Sequence, residues 1–159
     1  MHDLLQLLEQ DARLAPAEIA TRLGLEVAQV EAMIAQAEAS GALLGYSALV
    51  NWAATDSQKV YAFIEVEAIP EHDKGFDAIA EHIALFDEVH SAYLMSGTSD
   101  LQVVVEGEDF REIARFVAEK LAPIPGVKRT STSFVLKTYK LEGRAIQERK
   151  AGGRLAVTP

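Results

Sequence analysis

Residues 89–106, VHSAYLMSGTSDLQVVVE, are the stretch of this chain that decides its fold. Apolar and β-branched residues over 89–95 indicate one strand, and the run 101–106 indicates a second. The polar segment 96–99, SGTS, has the composition of a tight turn. The sequence therefore predicts an antiparallel hairpin, and the elements on either side decide which sheet it belongs to.

Amphipathic helices are predicted on both sides of this hairpin. Apolar residues recur at helical spacing across 76–86, and Asp109 and Glu112 have the spacing of a capping box that opens a second helix. Alternating apolar residues over 60–66 predict an earlier strand, and a Thr- and Ser-rich strand is predicted at 127–139. The resulting order, β-α-β-β-α-β, is that of a ferredoxin-like fold.

The first 41 residues predict a small helical domain. Helices are expected over residues 4–12, 16–23 and 27–39. Pro16 suits the first turn of the second helix, and Gly24 suits the position just after its end. The short connection to the third helix has the length of a helix-turn-helix. A strand is expected to follow at 43–50.

These elements predict an α+β chain, and its 159 residues are enough for one domain or two small ones. A helix-turn-helix domain, winged-helix-like, is expected at 1–50. A linker is expected at 51–58, a ferredoxin-like domain at 59–140 and a basic tail at 141–159.

Composition narrows the class of protein. The chain has no Cys, which excludes disulfides and thiolate metal sites, and no apolar run approaches the roughly 18 residues of a membrane span. We therefore expect a cytoplasmic protein without a membrane partner. The formal charge of −9 disfavours phosphate binding over most of the chain, but residues 137–159 contain six basic and two acidic residues.

Four short motifs occur along the chain, and their order and spacing together resemble those of a known family. They are the runs 19–25 (IATRLGL), 41–46 (GALLGY) and 96–100 (SGTSD), and the Pro125-Gly126-Val127 turn with Thr130 and Thr132. Together they resemble the second helix and turn, the following segment, the glycine–acid hairpin and the last strand of the leucine-responsive regulatory protein/asparagine regulator (Lrp/AsnC) family. The resemblance covers about residues 1–140.

The resemblance implies a bacterial or archaeal transcription regulator that binds double-stranded DNA and is not an enzyme. It implies a homo-oligomer, with dimers and often octamers built through the C-terminal domains. It also implies a small-molecule effector, usually an amino acid, held between subunits near the hairpin. We expect no cofactor and no metal, because the four His residues have no metal-ligand spacing.

The third predicted helix provides most of the candidate DNA contacts. Val27, Val30 and Ile34 are expected on its packed face. Gln on the outer face can read an adenine edge, and Ala can contact a thymine methyl group. The candidate DNA contacts are Arg22, Ala28, Gln29, Ala32 and Gln36.

This helix departs from the family pattern in its charge. Glu26 occupies the cap position, where the family usually has Ser or Thr, and Met33 stands where Arg is common. No basic residue occurs between Glu26 and Gly41. This charge disfavours tight DNA binding by α3 alone, so phosphate neutralisation would have to come from Arg22, from the basic tail or from the combined subunits of an oligomer.

The predicted hairpin provides the candidate effector contacts. Gly97 permits close approach to the backbone, two hydroxyls follow it, and Asp100 can accept an ammonium group. The same residue types also suit an ordinary turn, and β propensity alone explains Thr in a strand. The candidate effector contacts are Gly97, Thr98, Ser99, Asp100, Thr130 and Thr132.

Other interpretations stay open. The acidic third helix favours an effector-binding assembly module whose helix-turn-helix does not bind DNA and which acts through a partner protein. Siroheme decarboxylases are similar in architecture, but His82 and His90 alone do not make a tetrapyrrole site. The basic tail is a phosphate-tracking arm, a segment docked on an acidic body, or a solvated end; its cations are Arg144, Arg149, Lys150 and Arg154.

Overall fold

The computed structural model describes residues 1–56, 59–70, 72 and 75–146. The chain separates into two compact units, Met1–Val50 and Asn51–Pro159. A short 3-10 turn, Trp52–Ala54, lies within the residues predicted as a linker. The tail cations Arg149, Lys150 and Arg154 lie outside the described residues.

The first unit contains three helices, α1 (His2–Gln10), α2 (Pro16–Leu23) and α3 (Val27–Ala39), as predicted. Helix α2 begins with Pro16, and the Glu18 carboxylate accepts the Ala15 N–H at 3.1 Å. It ends at Gly24, whose φ of +66° is left-handed. The buried core of the unit consists of Leu4, Leu8, Ile19, Ala20 and Val30.

Helix α3 packs through a slightly different face from the predicted one. Val30 and Ala37 are fully buried, and Met33 and Ile34 lie against the core. Val27 is 40% exposed, so its predicted packing role is wrong. It is the first residue of the helix, where no preceding turn flanks the side chain.

The structure contradicts the prediction of a strand at 43–50. The Leu43 N–H donates to the Ala37 carbonyl at 3.0 Å, but residues 44–50 form no strand. A strand requires a neighbour for its backbone groups, and no strand of the described residues runs beside this segment. Leu44 is consequently 96% exposed.

The second unit is a four-stranded antiparallel sheet with the order β2-β3-β1-β4. Its strands are β1 (Val60–Ala68), β2 (Val89–Leu94), β3 (Leu101–Gly107) and β4 (Val127–Phe134). Helix α4 (Asp77–Ala84) connects β1 to β2, and helix α5 (Phe110–Phe116) follows β3. This is the predicted ferredoxin-like arrangement.

One face of the sheet carries the core of this unit. Alternate residues of β1 and β3 point towards α4 and α5, which contribute branched and aromatic side chains. Asp109 caps α5, because its carboxylate accepts the N–H groups of Arg111 and Glu112 at 2.8 Å. The largest fully buried side chains are Ile64, Val66, Ile83, Leu101, Val103, Val105, Ile113 and Leu121.

Strand β4 is shorter than predicted. It was expected to reach residue 139, but it ends at Phe134, and the Val135 N–H makes one further bond to the Tyr61 carbonyl at 2.8 Å. Strand β1 begins at Val60, so within the described residues the strand that pairs with β4 ends close to this point.

Part of the predicted tail is ordered as a second, two-stranded sheet. Strands β5 (Lys140–Leu141) and β6 (Arg144–Ala145) pair antiparallel. Between them, Glu142 and Gly143 have φ values of +42° and +78°. Two consecutive positive φ angles characterise the tightest hairpin turns, and residues 137–146 are called the basic hairpin below.

Candidate functional site

Asp100 ties the turn at residues 96–100 to the central strand β1. Its carboxylate Oδ2 accepts the Ala68 N–H at 2.9 Å, and its own N–H donates to the Val66 carbonyl at 3.1 Å. Its carbonyl accepts the Met95 N–H at 2.8 Å, which closes the turn. Asp100 therefore has a structural role that the sequence did not reveal.

The predicted residues Thr98 and Ser99 line a small hollow on the sheet face opposite the helices. Its volume is about 40 Å³. The other lining residues come from β1 and β4, and they include both acids and a base. These are Glu65, Glu67, Arg129 and Ser131.

The charges in this hollow are partly paired. The Arg129 guanidinium donates to the Glu67 carboxylate, with Nε 3.0 Å from Oε1. That hydrogen bond and the Glu67 charge raise the pKa of Arg129, and Glu65 acts in the same direction. The hollow therefore holds a fixed cation, two carboxylates and hydroxyl groups within one small volume.

Thr130 and Thr132 lie on the other face of β4. They pair with Val66 and Ile64, which are buried under the helices. Opposed residues in antiparallel strands share a face, so these two threonines do not line the hollow within one chain. Their contribution from a neighbouring subunit stays a prediction. Side chains alternate between the two faces of a strand, so the sequence could have placed Arg129 and Ser131 on the face opposite the two threonines.

Gly97 is not required by the fold of the chain. Its φ lies outside the left-handed region, and a Cβ added there would meet nothing within 4 Å. By contrast, a Cβ at Gly126, where φ is +91°, would lie 2.7 Å from Ile79 Cδ1. The turn therefore leaves open space beside Gly97.

The open face of the sheet exposes apolar side chains. Phe63 in the middle of β1 is 46% exposed, and Tyr93 on β2 is 54% exposed. Val104 pairs with Phe63, and Gln102 pairs with Tyr93, so these four residues are neighbours on one surface. The Gln102 side-chain Nε2 is buried without a hydrogen-bond partner.

The opposite end of the sheet carries a larger, acidic hollow of about 610 Å³. Burial acts to raise the pKa of Glu106 in this hollow, but the hydrogen bonds from Lys59 and Tyr61 outweigh burial and lower the pKa. Burial and the hydrogen bond to Glu106 raise the pKa of Tyr61 to about 12. The carboxylates lining this hollow are Asp87, Glu88, Glu106, Glu108 and Glu112.

The predicted DNA contacts are all exposed on the first unit. Arg22 lies in the last turn of α2, and Ala28, Gln29, Ala32 and Gln36 lie on the outer face of α3. Within Met1–Val50, all of which is described, Arg13 and Arg22 are the two basic side chains against seven acidic ones. Glu38 of α3 also accepts a hydrogen bond from the Tyr46 hydroxyl at 3.0 Å.

Gln29 is partly engaged in holding its own helix. Its side-chain Oε1 accepts the Glu26 N–H at 3.0 Å, which is the reciprocal bond of a capping box. Reading an adenine edge needs both the carbonyl and the amino group of a glutamine. Gln36, two turns further along α3, therefore remains the better placed of the two glutamines.

A family model describing the Lrp/AsnC ligand binding domain matches residues 61–145. This range runs from β1 to the basic hairpin and includes the hollow. The chain belongs to the Lrp/AsnC family. This Lrp/AsnC protein is 37% identical over 158 residues to the HTH-type transcriptional regulator YugG of Bacillus subtilis (strain 168), covering 99% of this chain and 95% of that protein.

Solved structures of regulators share the fold of this Lrp/AsnC protein. The leucine response regulatory protein LrpA of Mycobacterium tuberculosis matches with a TM-score of 0.73 and 25% identity, covering 87% of this chain and 92% of that chain. A transcriptional regulator of Neisseria meningitidis in complex with L-Met matches with a TM-score of 0.68 and 26% identity, covering 90% and 92%. The family consists of transcriptional regulators, which confirms the predicted family and the prediction that the chain is not an enzyme.

No helix within residues 1–56, 59–70, 72 and 75–146 combines the length and apolar character needed to cross a membrane.

Proposed function

We propose that this protein is a transcription regulator that binds double-stranded DNA through α3 and responds to an amino acid bound by its second unit. The observation that carries the proposal is the ligand-binding-domain match over 61–145, preceded in the chain by a helix-turn-helix. The L-Met complex of the Neisseria regulator supports an amino acid as the class of effector. A DNA-binding regulator of this kind acts in the cytoplasm.

The hollow at Thr98 and Ser99 supports this class of effector through its charges. An amino acid carries an ammonium and a carboxylate, and the hollow offers Glu65 and Arg129 on the same face. Its volume of about 40 Å³ has room for only a few water molecules. We infer that a second subunit completes the site and encloses the amino acid.

We propose that this second subunit is another copy of the chain. Phe63 and Tyr93 form an exposed apolar patch on the open sheet face, and the buried Gln102 Nε2 lacks an acceptor. Surfaces of this kind usually contact another protein, and closed two-fold dimers are the commonest homo-oligomers. A dimer, with octamers as the larger assembly, is the proposed state.

The mechanism follows from a site shared between subunits. An effector that binds one arrangement of the subunits more tightly than another shifts the population towards the first arrangement. Each arrangement sets a different spacing of the helix-turn-helix units, so effector binding and DNA binding become coupled. Arg22, Ala28, Gln29, Ala32 and Gln36 are the proposed DNA contacts.

A second candidate function is an assembly module that acts through a partner protein. It is favoured by one observation, the absence of any basic side chain on α3, which carries Glu31 and Glu38. Such a protein would bind an effector and assemble without preferring any DNA sequence.

DNA binding by the full chain separates the two functions. Fluorescence anisotropy would measure its affinity for duplex DNA from upstream of its own gene, at two salt concentrations, against a scrambled duplex. The regulator function predicts preference for one sequence and an affinity that L-methionine or another single amino acid alters. Random-site selection guards against a wrong choice of duplex. Failure to enrich any sequence would contradict DNA readout and support the assembly module.

A further inference from the structure

The charged groups of the hollow at Thr98 and Ser99 are two carboxylates and one guanidinium. Glu65 and Glu67 lie two residues apart on β1, and Arg129 of β4 pairs directly with Glu67. The other lining residues carry hydroxyl groups. Carboxylates and guanidinium groups are charged at neutral pH. Two negative charges against one positive charge give the hollow a formal charge of −1.

The ion pair between Arg129 and Glu67 leaves part of both groups available. Arg129 donates through Nε, which lies 3.0 Å from Oε1 of Glu67, and through Nη2 to the same oxygen. A guanidinium has five N–H donors, and these two bonds use two of them. The second carboxylate oxygen of Glu67 takes no part in the pair. The pair therefore holds both side chains in position and still has donors and an acceptor for a ligand.

Glu65 is the carboxylate of the hollow without a close partner. In residues 1–56, 59–70, 72 and 75–146, its side chain makes no hydrogen bond and no ion pair, and it acts on Arg129 through its charge alone. The side chain is exposed on the open sheet face. In a single chain, water therefore solvates this charge.

The dimer proposed above would remove that water. Phe63, in the middle of the exposed apolar patch, lies two residues before Glu65 on the same face of β1. A copy that covers Phe63 therefore also approaches Glu65. A two-fold contact presents the same patch from both subunits, so the second copy adds the same excess of carboxylates. Because burying an unpaired carboxylate is costly, each hollow then needs one further positive charge.

We propose that the effector is an amino acid with a second cationic group, of the class of lysine, ornithine and arginine. This inference rests on the proposed function and narrows its effector. Such a molecule carries two cations and one carboxylate, which is the reverse of the charges in the hollow. Its carboxylate accepts from the remaining donors of Arg129, and its cations bind Glu65 and the second oxygen of Glu67. The occupied hollow is then neutral.

The spacing of the two carboxylates supports two cations on one molecule. Residues two apart on a strand share a face, and their Cα atoms are separated by about 6.6 Å. A neutral amino acid has one ammonium and one carboxylate, so it would leave the hollow at its original charge. The second cation is therefore the group that distinguishes the proposed effector from L-methionine.

Calorimetry on the full chain tests the proposal with matched ligands. L-Lysine and L-norleucine share a carbon skeleton and differ in the ε-ammonium, so L-lysine should bind at least about tenfold more tightly. L-Glutamate, whose extra charge is negative, should bind more weakly than either. Cadaverine, which lacks the carboxylate, should bind at least about tenfold more weakly than L-lysine, because the free donors of Arg129 then stay unused.

Substitution of Glu65 assigns the preference to the hollow. The readout is the ratio of the Kd for L-norleucine to the Kd for L-lysine. In Glu65→Gln this ratio should fall to within about threefold, and in Glu65→Asp, which keeps the charge, L-lysine should stay preferred. Glu81→Gln removes an exposed carboxylate on α4 and should leave the ratio unchanged. Circular dichroism and light scattering check folding and oligomer mass.

The possible failures are distinguishable. L-Norleucine binding as tightly as L-lysine would overturn this proposal and leave an amino-acid-responsive regulator standing. A preference for L-lysine that survives Glu65→Gln would place recognition of the second cation elsewhere and would also overturn it. Cadaverine binding as tightly as L-lysine would contradict the role given to Arg129 and make the ligand a diamine. If none of the proteinogenic amino acids binds, the effector part of the proposed function fails together with this proposal.

Discussion

The carboxylate of Asp100 accepts a hydrogen bond from the backbone N–H of Ala68, with 2.9 Å between Oδ2 and N. Asp100 lies at the end of the turn, and Ala68 is the last residue of the central strand β1. The two residues are far apart in the chain, so this bond fixes the turn in space against the sheet. Asp100, which is predicted to bind a ligand, therefore also holds the turn against the sheet.

Replacing Asp100 should destabilise the second unit. Asp100→Ala leaves the Ala68 N–H without its charged acceptor, and the expected loss in free energy of unfolding is about 1 to 3 kcal/mol. Asp100→Asn keeps an acceptor oxygen and should lose less than half as much. Urea unfolding at neutral pH measures both. An Ala variant as stable as the unchanged chain would show that the bond has no structural weight.

Gly97 should behave as a residue of the effector site and not of the fold. Gly97→Ala should change the free energy of unfolding by less than about 0.5 kcal/mol, because open space surrounds the added methyl group. It should weaken amino-acid binding, measured by calorimetry, at least tenfold. Gly126→Ala is the contrasting variant, because a side chain is strained at its φ of +91° and the added Cβ also meets Ile79, so it should destabilise the chain by about 1 to 3 kcal/mol. Normal amino-acid binding by Gly97→Ala would place the effector elsewhere.

The two glutamines of α3 should have separable roles. Gln36→Ala should lower affinity for the preferred duplex by about 1 to 3 kcal/mol and leave stability unchanged. Gln29→Ala removes the acceptor of the Glu26 N–H and should cost about 1 kcal/mol of stability. Gln29→Glu keeps a capping acceptor and should restore that stability. Equal effects of Gln29→Ala and Gln36→Ala on DNA affinity, at equal stability, would contradict this division.

The open sheet face should mediate self-association. Phe63→Asp places a charge in the middle of the exposed apolar patch and should shift the protein towards monomer in light-scattering measurements. Leu85→Asp changes another exposed apolar residue, 82% exposed after α4, and should leave the mass unchanged. A dimer that persists in Phe63→Asp at micromolar concentration would assign the interface to another surface.

Tyr61 should limit stability at high pH. Its pKa is raised from 10.0 to about 12 by burial and by its hydrogen bond to Glu106. A raised pKa means that the folded state favours the neutral phenol, so this stabilisation is complete below pH 10 and is lost as the pH rises through about 12. Tyr61→Phe should show a smaller fall in urea midpoint across this range than the unchanged chain. Tyr93→Phe serves as the control, and the same fall in Tyr61→Phe as in the unchanged chain would refute the assignment.

Much of the fold could be predicted because local patterns coincide with the final packing. The alternation in β1 and β3, the Asp109 cap and the Gly24 helix end all depend on nearby residues. The prediction of a strand at 43–50 was wrong because a strand also needs a neighbouring strand, which the local sequence does not reveal. The predicted end of β4 was wrong for the same reason, because the end of this strand depends on where β1 begins.

The candidate site was less predictable than the fold. Thr98 and Ser99 could be named as candidates because turn chemistry is local, whereas Glu65 and Glu67 enter the hollow through the pairing of distant strands. The role of Asp100 depends on Ala68, 32 residues away. The ordering of residues 140–145 was missed because Glu142 adopts a positive φ that its residue type rarely adopts.

The alternating sides of β4 bear on how such a regulator can evolve. Arg129 and Ser131 face the hollow, whereas Thr130 and Thr132 oppose the core residues Val66 and Ile64. In the effector site proposed above, mutations at the two odd positions would alter which small molecule is recognised while the packing beneath the helices is preserved. Mutations at the even positions act first on folding. If the hollow is the effector site, single-residue changes along this strand can change the detected signal without altering the residues that oppose the core.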